Sequence, residues 1–266
     1  MLNTDLASLL PVANRAVDTA VEILSSADGP RRLTAKGDRD YATDLDYEIE
    51  QRVRDQLRQG TPEIGFLGEE EGFRGKGSDL VWVLDPIDGT VNFVHGLPLF
   101  AVSLALVAGD QPVLGVVELP ALRHRYHAAE GMGAHRDGER LPCPDPPPDL
   151  ASAIVAIGDY AVGANAEAKN RDRLDVTGRL ATSVLRVRML GSAAIDLAWL
   201  AEGRLNASVT LSNNTWDMAA GVVLARETGH TIVDRSGQTY NLTSAATIVA
   251  NAQFLPDLLG SLTDPV

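Results

Sequence analysis

Cysteine is nearly absent from this sequence, since Cys143 is the only one among 266 residues. An internal disulfide is therefore excluded, which is compatible with a reducing compartment. Basic residues are also scarce: 23 Lys and Arg stand against 36 Asp and Glu, and the formal net charge is −13. Such a chain is not expected to bind nucleic acid through a basic surface. It can still bind phosphate through metal ions.

Long hydrophobic runs are missing as well. No apolar run is long enough to cross a bilayer, and the first residues lack the basic region, apolar core and cleavage site of a secretory signal. These absences predict a cytoplasmic protein without a membrane partner. The five histidines show no metal-ligand spacing, which argues against a zinc site.

The first third of the chain has helical periodicity in two places. Apolar residues recur at helical spacing from about Thr4 to Ser26 and again after Thr43-Asp44, which caps the second helix. The polar stretch 31–41 between them contains Lys36 and predicts an exposed, mobile loop. Further on, turn residues at 109–110 and 137–138 separate segments suited to antiparallel strands.

A proline-rich segment lies near the middle of the chain. Five of the seven residues in 142–148 are proline, which is too many for regular structure. We expect a boundary there between an N-terminal α+β subdomain, residues 1–145, and a C-terminal α/β subdomain, residues 146–266. Beyond the boundary, strand-like and helix-like segments alternate, which predicts a sheet covered by helices.

The stretch from Asp85 to Phe93 carries the clearest chemical pattern. It follows an apolar, strand-like run, 80–84, and Pro86 makes a continuing strand or helix unfavourable. Two carboxylates, Asp85 and Asp88, enclose the carbonyl of Ile87, which is free to coordinate a ligand. Gly89 permits a tight turn, and Thr90 opens a short helix whose amides favour anions. The pattern indicates a site for metal and phosphate.

Other acidic residues stand at similar junctions between strands and helices. They are Asp44, Glu69 with Glu70, and Asp217. Such positions hold carboxylates firmly while exposing them, although spacing alone does not establish convergence. An oxygen-only site without His or Cys favours Mg²⁺, with Mn²⁺ as the alternative. Bound cations would neutralise the acidic cluster, attract a phosphate dianion and activate a water molecule.

Two motifs resemble those of the inositol monophosphatase family of Mg²⁺-dependent, lithium-sensitive phosphatases. They are Asp85-Pro86-Ile87-Asp88-Gly89-Thr90-Val91-Asn92-Phe93 and Trp216-Asp217-Met218-Ala219-Ala220-Gly221. Gly68-Glu69-Glu70, Ala42-Thr43-Asp44 and Gly191-Ser192-Ala193 agree in order and spacing. The resemblance covers nearly the whole chain and implies a layered α/β/α/β/α sandwich with two subdomains, usually a homodimer.

The resemblance also implies a role for individual residues. Glu69, Asp85 and the Ile87 carbonyl would hold one Mg²⁺, Asp85, Asp88 and Asp217 a second, and Glu69 would share a weaker third. Thr90, with Glu70 and Asp44, would orient the attacking water, and the amides of Gly89 and Thr90 would bind phosphate. Asp88, Asp217 and the segment Gly191-Ser192-Ala193 would lie on the substrate side, with Lys36 on a mobile loop over the metals.

One position departs from the family pattern. Inositol-selective members carry a glutamate where this chain has Thr210, which is shorter and uncharged. The expected substrate is therefore inositol 1-phosphate or a similar small polyol or sugar phosphate. The alternatives are related phosphatases for fructose 1,6-bisphosphate, 3′-phosphoadenosine nucleotides or histidinol phosphate. A regulatory binding protein on the same fold is a further alternative, although no metal ligand is missing.

Several of these residues also have purely structural interpretations. Asp44 and Ser192 can be helix N-caps, and Glu71 a solvated surface charge. Trp216 is interpreted as a packing residue that positions Asp217. Cys143 lacks a catalytic partner in its proline-rich surroundings and is assigned no chemistry.

Overall fold

The computed structural model describes residues 5–26, 33–37, 40–74 and 79–263. Two long helices open the chain, α1 (Leu6–Ser26) and α2 (Asp44–Gly60), on either side of an antiparallel two-stranded ribbon, β1 (Leu33–Gly37) and β2 (Asp40–Thr43). Thr43 caps α2 through a capping box with Asp46. No helix within these residues has the length and apolar character needed to span a membrane.

A large sheet of eight strands follows, in the spatial order β10-β9-β8-β7-β6-β5-β3-β4. Its strands are β3 (Gly65–Gly68), β4 (Gly72–Arg74), β5 (Leu80–Asp88), β6 (Ala101–Ala108), β7 (Gln111–Leu119), β8 (His124–Ala129), β9 (Gly133–Arg136) and β10 (Glu139–Arg140). Only β3 and β5 run parallel; the other pairs in this sheet are antiparallel. The short helix α3 (Thr90–Val94) leaves the end of β5. The predicted hairpins around 109–110 and 137–138 are confirmed.

A second sheet of five strands has the order β12-β11-β13-β15-β14. Its strands are β11 (Ile154–Ile157), β12 (Arg186–Arg188), β13 (Ala207–Thr210), β14 (Thr231–Val233) and β15 (Thr247–Ala250). The helices of this half are α4 (Ala166–Ser183), α5 (Ala193–Ala201), α6 (Thr215–Glu227) and α7 (Leu255–Leu262). Strands β12, β11 and β13 are parallel, as expected where helical crossovers connect them.

The two large sheets and the six longer helices described above form five layers. Alternate residues of β5 face opposite ways: Leu84 packs into the core beneath α1 and α2, and Val83 packs against α5 and α6. The other side of α5 and α6 covers the five-stranded sheet, and α4 and α7 cover its outer face. This order of helix, sheet, helix, sheet and helix confirms the predicted α/β/α/β/α sandwich.

The proline-rich segment lies between the two sheets in sequence and contains no helix or strand. Helices α5 and α6 come from the second half of the chain, yet they cover a face of the first sheet. The two halves therefore share a core. The division into subdomains 1–145 and 146–266 stays a prediction.

Two local expectations differ from the structure. Residues 33–37 and 40–43 form the β1–β2 ribbon instead of an irregular loop, with Lys36 in β1. The Lys36 side chain and residues 27–32 and 38–39 lie outside the described part, so the predicted mobility stays a prediction. Strand β5 also continues through Pro86 to Asp88. The register there moves from Asp85 opposite Ser103 to Asp88 opposite Ala101, a bulge that accommodates a residue without an amide donor.

Candidate active site

The bulged end of β5 positions the first two carboxylates. Asp85 and Asp88 are buried there, and Asp85 is only 2% exposed. The Ile87 amide donates to Asp85 Oδ1 at 3.0 Å, and the Thr90 hydroxyl donates to the Ile87 carbonyl at 2.9 Å. This carbonyl keeps a second lone pair. Local hydrogen bonds thus hold the turn that presents Asp85, Asp88 and Ile87.

Gly89 connects this strand to α3 with a backbone φ of 90°, which favours glycine. A Cβ atom here would stand 3.0 Å from the carbonyl oxygens of Leu99 and Gly191. The segment after β12 therefore approaches the turn closely. Asn92 reinforces the approach, because its Nδ2 donates to Leu99 O at 2.7 Å and to Leu190 O at 2.8 Å.

Ser192 links α5 to the end of β5. Its hydroxyl donates to Asp88 Oδ2 at 2.6 Å and accepts from the Ile195 amide at 3.2 Å, so Ser192 caps α5 as well as contacting Asp88. The Ala194 amide also donates to Asp88 Oδ2, at 2.6 Å. The segment Gly191-Ser192-Ala193 thus lies beside Asp88, and both interpretations of Ser192 are compatible with its contacts.

Glu69 and Asp217 approach from two further elements. Glu69 follows β3, and its amide donates to Leu84 O at 3.2 Å, which places it beside Asp85. Asp217 lies in the first turn of α6, where Asn214 Nδ2 donates to its Oδ2 at 3.1 Å. The Ser103 hydroxyl on β6 donates to Trp216 O at 3.2 Å and ties this turn to the first sheet. Trp216 packs against the core between the sheets.

Burial and mutual repulsion act together on these carboxylates. Burial raises the pKa of Asp85 well above its usual range, and the charges of Glu69, Asp88 and Asp217 raise it further. Burial also raises the pKa of Asp88 to about 6, although the hydrogen bonds from Ser192 and Ala194 counteract it. These three neighbouring charges are all negative. Such a cluster is unfavourable until a cation or protons neutralise it.

The chemistry of this set fits a hard divalent cation, because all its donors are oxygen atoms. The side chains are neighbours without forming a closed coordination shell. In the described part of the chain, no three His, Cys, Asp or Glu side chains converge into a complete metal-binding group.

The predicted water-orienting residues have different surroundings. Thr90 and Glu70 are half-buried, with Thr90 directly after Gly89 at the start of α3. Asp44 is exposed in the first turn of α2, whereas Asp46 is fully buried. Asp46 Oδ2 accepts from the Thr43 amide at 2.7 Å and from its hydroxyl at 2.6 Å. Asp46 is therefore the inward-facing carboxylate at the start of α2, and the role of Asp44 in orienting water stays a prediction.

Thr210 ends β13 and is 6% exposed. Its hydroxyl oxygen is buried and makes no hydrogen bond with the residues that the structure describes. Gly158, directly after the neighbouring strand β11, lies close, since a Cβ there would stand 3.1 Å from the Thr210 methyl group. Thr210 is therefore enclosed at the end of β13, and its contact with the substrate stays a prediction.

Four buried carboxylates were missed by the sequence interpretation: Asp46, Glu50, Glu118 and Asp196. Asp46 and Glu50 share the inward face of α2 with Ile49 and Val53, a position normally taken by apolar residues. The helical spacing of these residues is visible in the sequence and indicates that both carboxylates face the core. Asp196 lies on α5, where burial raises its pKa well above the usual range and Asp88 adds to the effect.

The model of the inositol monophosphatase family matches residues 5–264. The chain belongs to this family. It is 37% identical over 242 residues to inositol-1-monophosphatase ImpA of Mycolicibacterium smegmatis, covering 88% of this chain and 87% of that protein. It is also 37% identical over 219 residues to the fructose-1,6-bisphosphatase/inositol-1-monophosphatase of Thermotoga maritima, covering 81% and 79%.

A solved structure agrees with the fold. The extragenic suppressor protein suhB of Bartonella henselae superimposes with a TM-score of 0.85 at 28% identity, covering 98% of this chain and 99% of that one. The family match and the curated phosphatase relatives confirm the predicted family and the enzyme class, a phosphoric monoester hydrolase.

Proposed function

We propose that this phosphatase hydrolyses the phosphate monoester of a small polyol or sugar, with inositol 1-phosphate as the leading candidate, and that it depends on Mg²⁺. The observation that carries the proposal is the cluster of Glu69, Asp85, Asp88 and Asp217. Burial, and then the negative charges of Glu69, Asp88 and Asp217, raise the pKa of Asp85. Divalent ions would neutralise these charges, and the bound ions would attract a phosphate group.

The family resemblance assigns the metal ligands. One ion would be held by Glu69, Asp85 and the Ile87 carbonyl, and a second by Asp85, Asp88 and Asp217, while Glu69 shares a weaker third. When bound, Mg²⁺ supplies charge neutralisation and lowers the pKa of a water molecule. Mn²⁺ suits the same oxygen donors.

The chain's own residues would bind and orient the reactants. The Thr90 hydroxyl, with Glu70, is proposed to align the attacking water with phosphorus. Asp44 is the third residue of this group by the family resemblance. Amides of Gly89 and Thr90 would donate to the phosphate oxygens. Asp217 would lie on the leaving-group side.

The substrate side is proposed to comprise Asp88, Asp217 and the segment Gly191-Ser192-Ala193. Thr210 offers no carboxylate for a ring hydroxyl, and its own hydroxyl is enclosed. We therefore propose a preference broader than inositol 1-phosphate alone. The dual name of the Thermotoga maritima relative makes fructose 1,6-bisphosphate the first alternative substrate. An exclusive preference for inositol 1-phosphate in a panel of sugar phosphates would contradict the broader assignment.

The test of catalysis is phosphate release from inositol 1-phosphate with and without Mg²⁺. We expect Mg²⁺-dependent release by the wild type and a loss of about 100-fold or more in Asp88→Asn, because this change removes a ligand and a buried charge. The matched control is Asp55→Asn, the same chemical change at an exposed position of α2, which is expected to remain within twofold of the wild type. Equal, metal-independent release by all three proteins would defeat the assignment.

A regulatory role through a macromolecular partner is the alternative from another functional class. Its support is the structural likeness to a protein named extragenic suppressor suhB. The retained carboxylates favour catalysis. The homodimer, the cytoplasmic location and lithium sensitivity stay predictions.

A further inference from the structure

Glu50 is a buried carboxylate outside the proposed ligand set. It lies on the inward face of α2, and its exposed fraction is 0%. Both oxygens accept backbone amides from the turn after β3: Oε2 from Glu70 at 2.8 Å and Oε1 from Glu71 at 2.9 Å. One side chain therefore binds two successive amides, as a carboxylate does at a helix N-terminus.

Gly68 provides the space for this contact. A Cβ atom at Gly68 would overlap the carboxyl group of Glu50. The Glu50 carboxyl group thus touches the backbone directly before Glu69 and binds the two amides directly after it. The Glu69 amide itself donates to Leu84 O, one residue before Asp85. Glu69 is consequently held on both sides by α2 and at its own amide by β5.

The charge of Glu50 is costly where it lies. Burial raises its pKa, and the charge of Glu71 acts in the same direction, although the two amides oppose the shift. Glu71, at the end of the turn, forms a salt bridge with Arg54, which lies on α2 like Glu50. An apolar side chain at this position of α2 would avoid the cost of burial. The gain from Glu50 is therefore the geometry of the turn.

We propose that Glu50 is a positioning residue of the metal site: it fixes the backbone at 68–71 so that the side chain of Glu69 is presented to Asp85. The inference rests on the proposed function, since it assigns Glu69 to the metal. Glu50 would then control the affinity for the metal although its side chain contacts neither the metal nor the substrate.

The test is Mg²⁺ binding to the full chain, measured by titration calorimetry in Glu50→Gln. This change keeps the shape but replaces one acceptor with an NH₂ group that faces an amide donor. We expect the Mg²⁺ dissociation constant to rise about tenfold, as for other changes behind metal ligands. Excess Mg²⁺ should restore turnover, which a general folding defect would not allow. Glu48→Gln, on the exposed face of α2, is the matched control and should stay within twofold.

A second variant disturbs the same contact from the other side. Gly68→Ala keeps glutamate at position 50 but displaces its carboxyl group, because the added Cβ would occupy the same space. We expect weaker Mg²⁺ binding, as in Glu50→Gln. It decides the matter if Glu50→Gln does not fold. Wild-type Mg²⁺ affinity in a folded variant, even with a lowered melting temperature, would overturn the positioning role. Absence of Mg²⁺ binding or phosphate release in the wild type would instead overturn the proposed function.

Discussion

Buried carboxylates have different neighbours in two acidic regions of this protein, one around Asp85 and one around Glu202. Around Asp85, burial is combined with further carboxylates, and each neighbour raises its pKa. At the end of α5, Glu202 is also largely covered, but its oxygens accept from Tyr126 Oη at 2.6 Å and from Arg204 Nε at 2.8 Å. Arg136 adds a third contact with Glu202.

This difference distinguishes the structural cluster around Glu202 from the proposed metal site around Asp85. The interactions around Glu202 are satisfied within the chain, so they join β8 and β9 to α5 without needing a ligand. Around Asp85, burial and the charges of Glu69, Asp88 and Asp217 all raise the pKa, which is the kind of perturbation that clusters at functional sites. Sequence composition alone does not distinguish the two, because both consist of acidic residues near strand or helix ends.

The largest expected effect comes from neutralising the site. Asp85→Asn should lower kcat by about 1000-fold, because Asp85 is the ligand assigned to two ions. Without metal, the Asp85→Asn variant should be at least as stable as the metal-free wild type, since the change removes mutual repulsion among buried carboxylates. Phosphate release and thermal melting in a chelator measure the two effects. A large loss of stability without metal would contradict the comparison.

The metal-free protein should also lose stability as pH rises. The folded pKa of Asp88 is about 6, above its unfolded value, so the folded state binds this proton more tightly. Stability from Asp88 is therefore full below about pH 4 and lost as pH rises to 6 and beyond, at a cost of up to about 3 kcal/mol. Asp85 acts in the same direction. Melting curves between pH 5 and 8 in a chelator measure the trend. Asp88→Asn should flatten it, and an unchanged slope would refute its assignment to Asp88.

The smallest effect is expected at the satisfied cluster. Glu202→Gln removes the charge opposite Arg136 and Arg204 and should lower the free energy of unfolding by about 2 kcal/mol. Turnover by the folded protein should not change, because no contact of Glu202 reaches the site residues. Denaturant unfolding and Mg²⁺-dependent kinetics on the same sample measure both quantities. Reduced kcat with unchanged stability would be the reverse of this expectation.

Local pattern predicted most of the fold. The apolar periodicity of α1 and α2, the turn at 109–110 and the short helix after Gly89 follow from interactions between residues near in sequence, and the structure agrees. Pro86 misled the prediction of a strand end, because a bulge in the ladder with β6 removes the need for its amide. The stretch around Lys36 misled it in the other direction, since pairing of β1 with β2 organises a polar segment.

The sequence by itself determined which donors are available and near which strand and helix ends they lie: Asp85, Asp88 and Thr90 around one turn, Glu69 after a strand, and Asp217 at a helix start. That Asp46 faces inward while Asp44 is exposed, and that Glu50 binds the amides after Glu69, becomes visible once the chain has folded. The physical reason is that capping and periodicity act over a few residues. Burial and the field at a carboxylate instead depend on segments far apart in the chain.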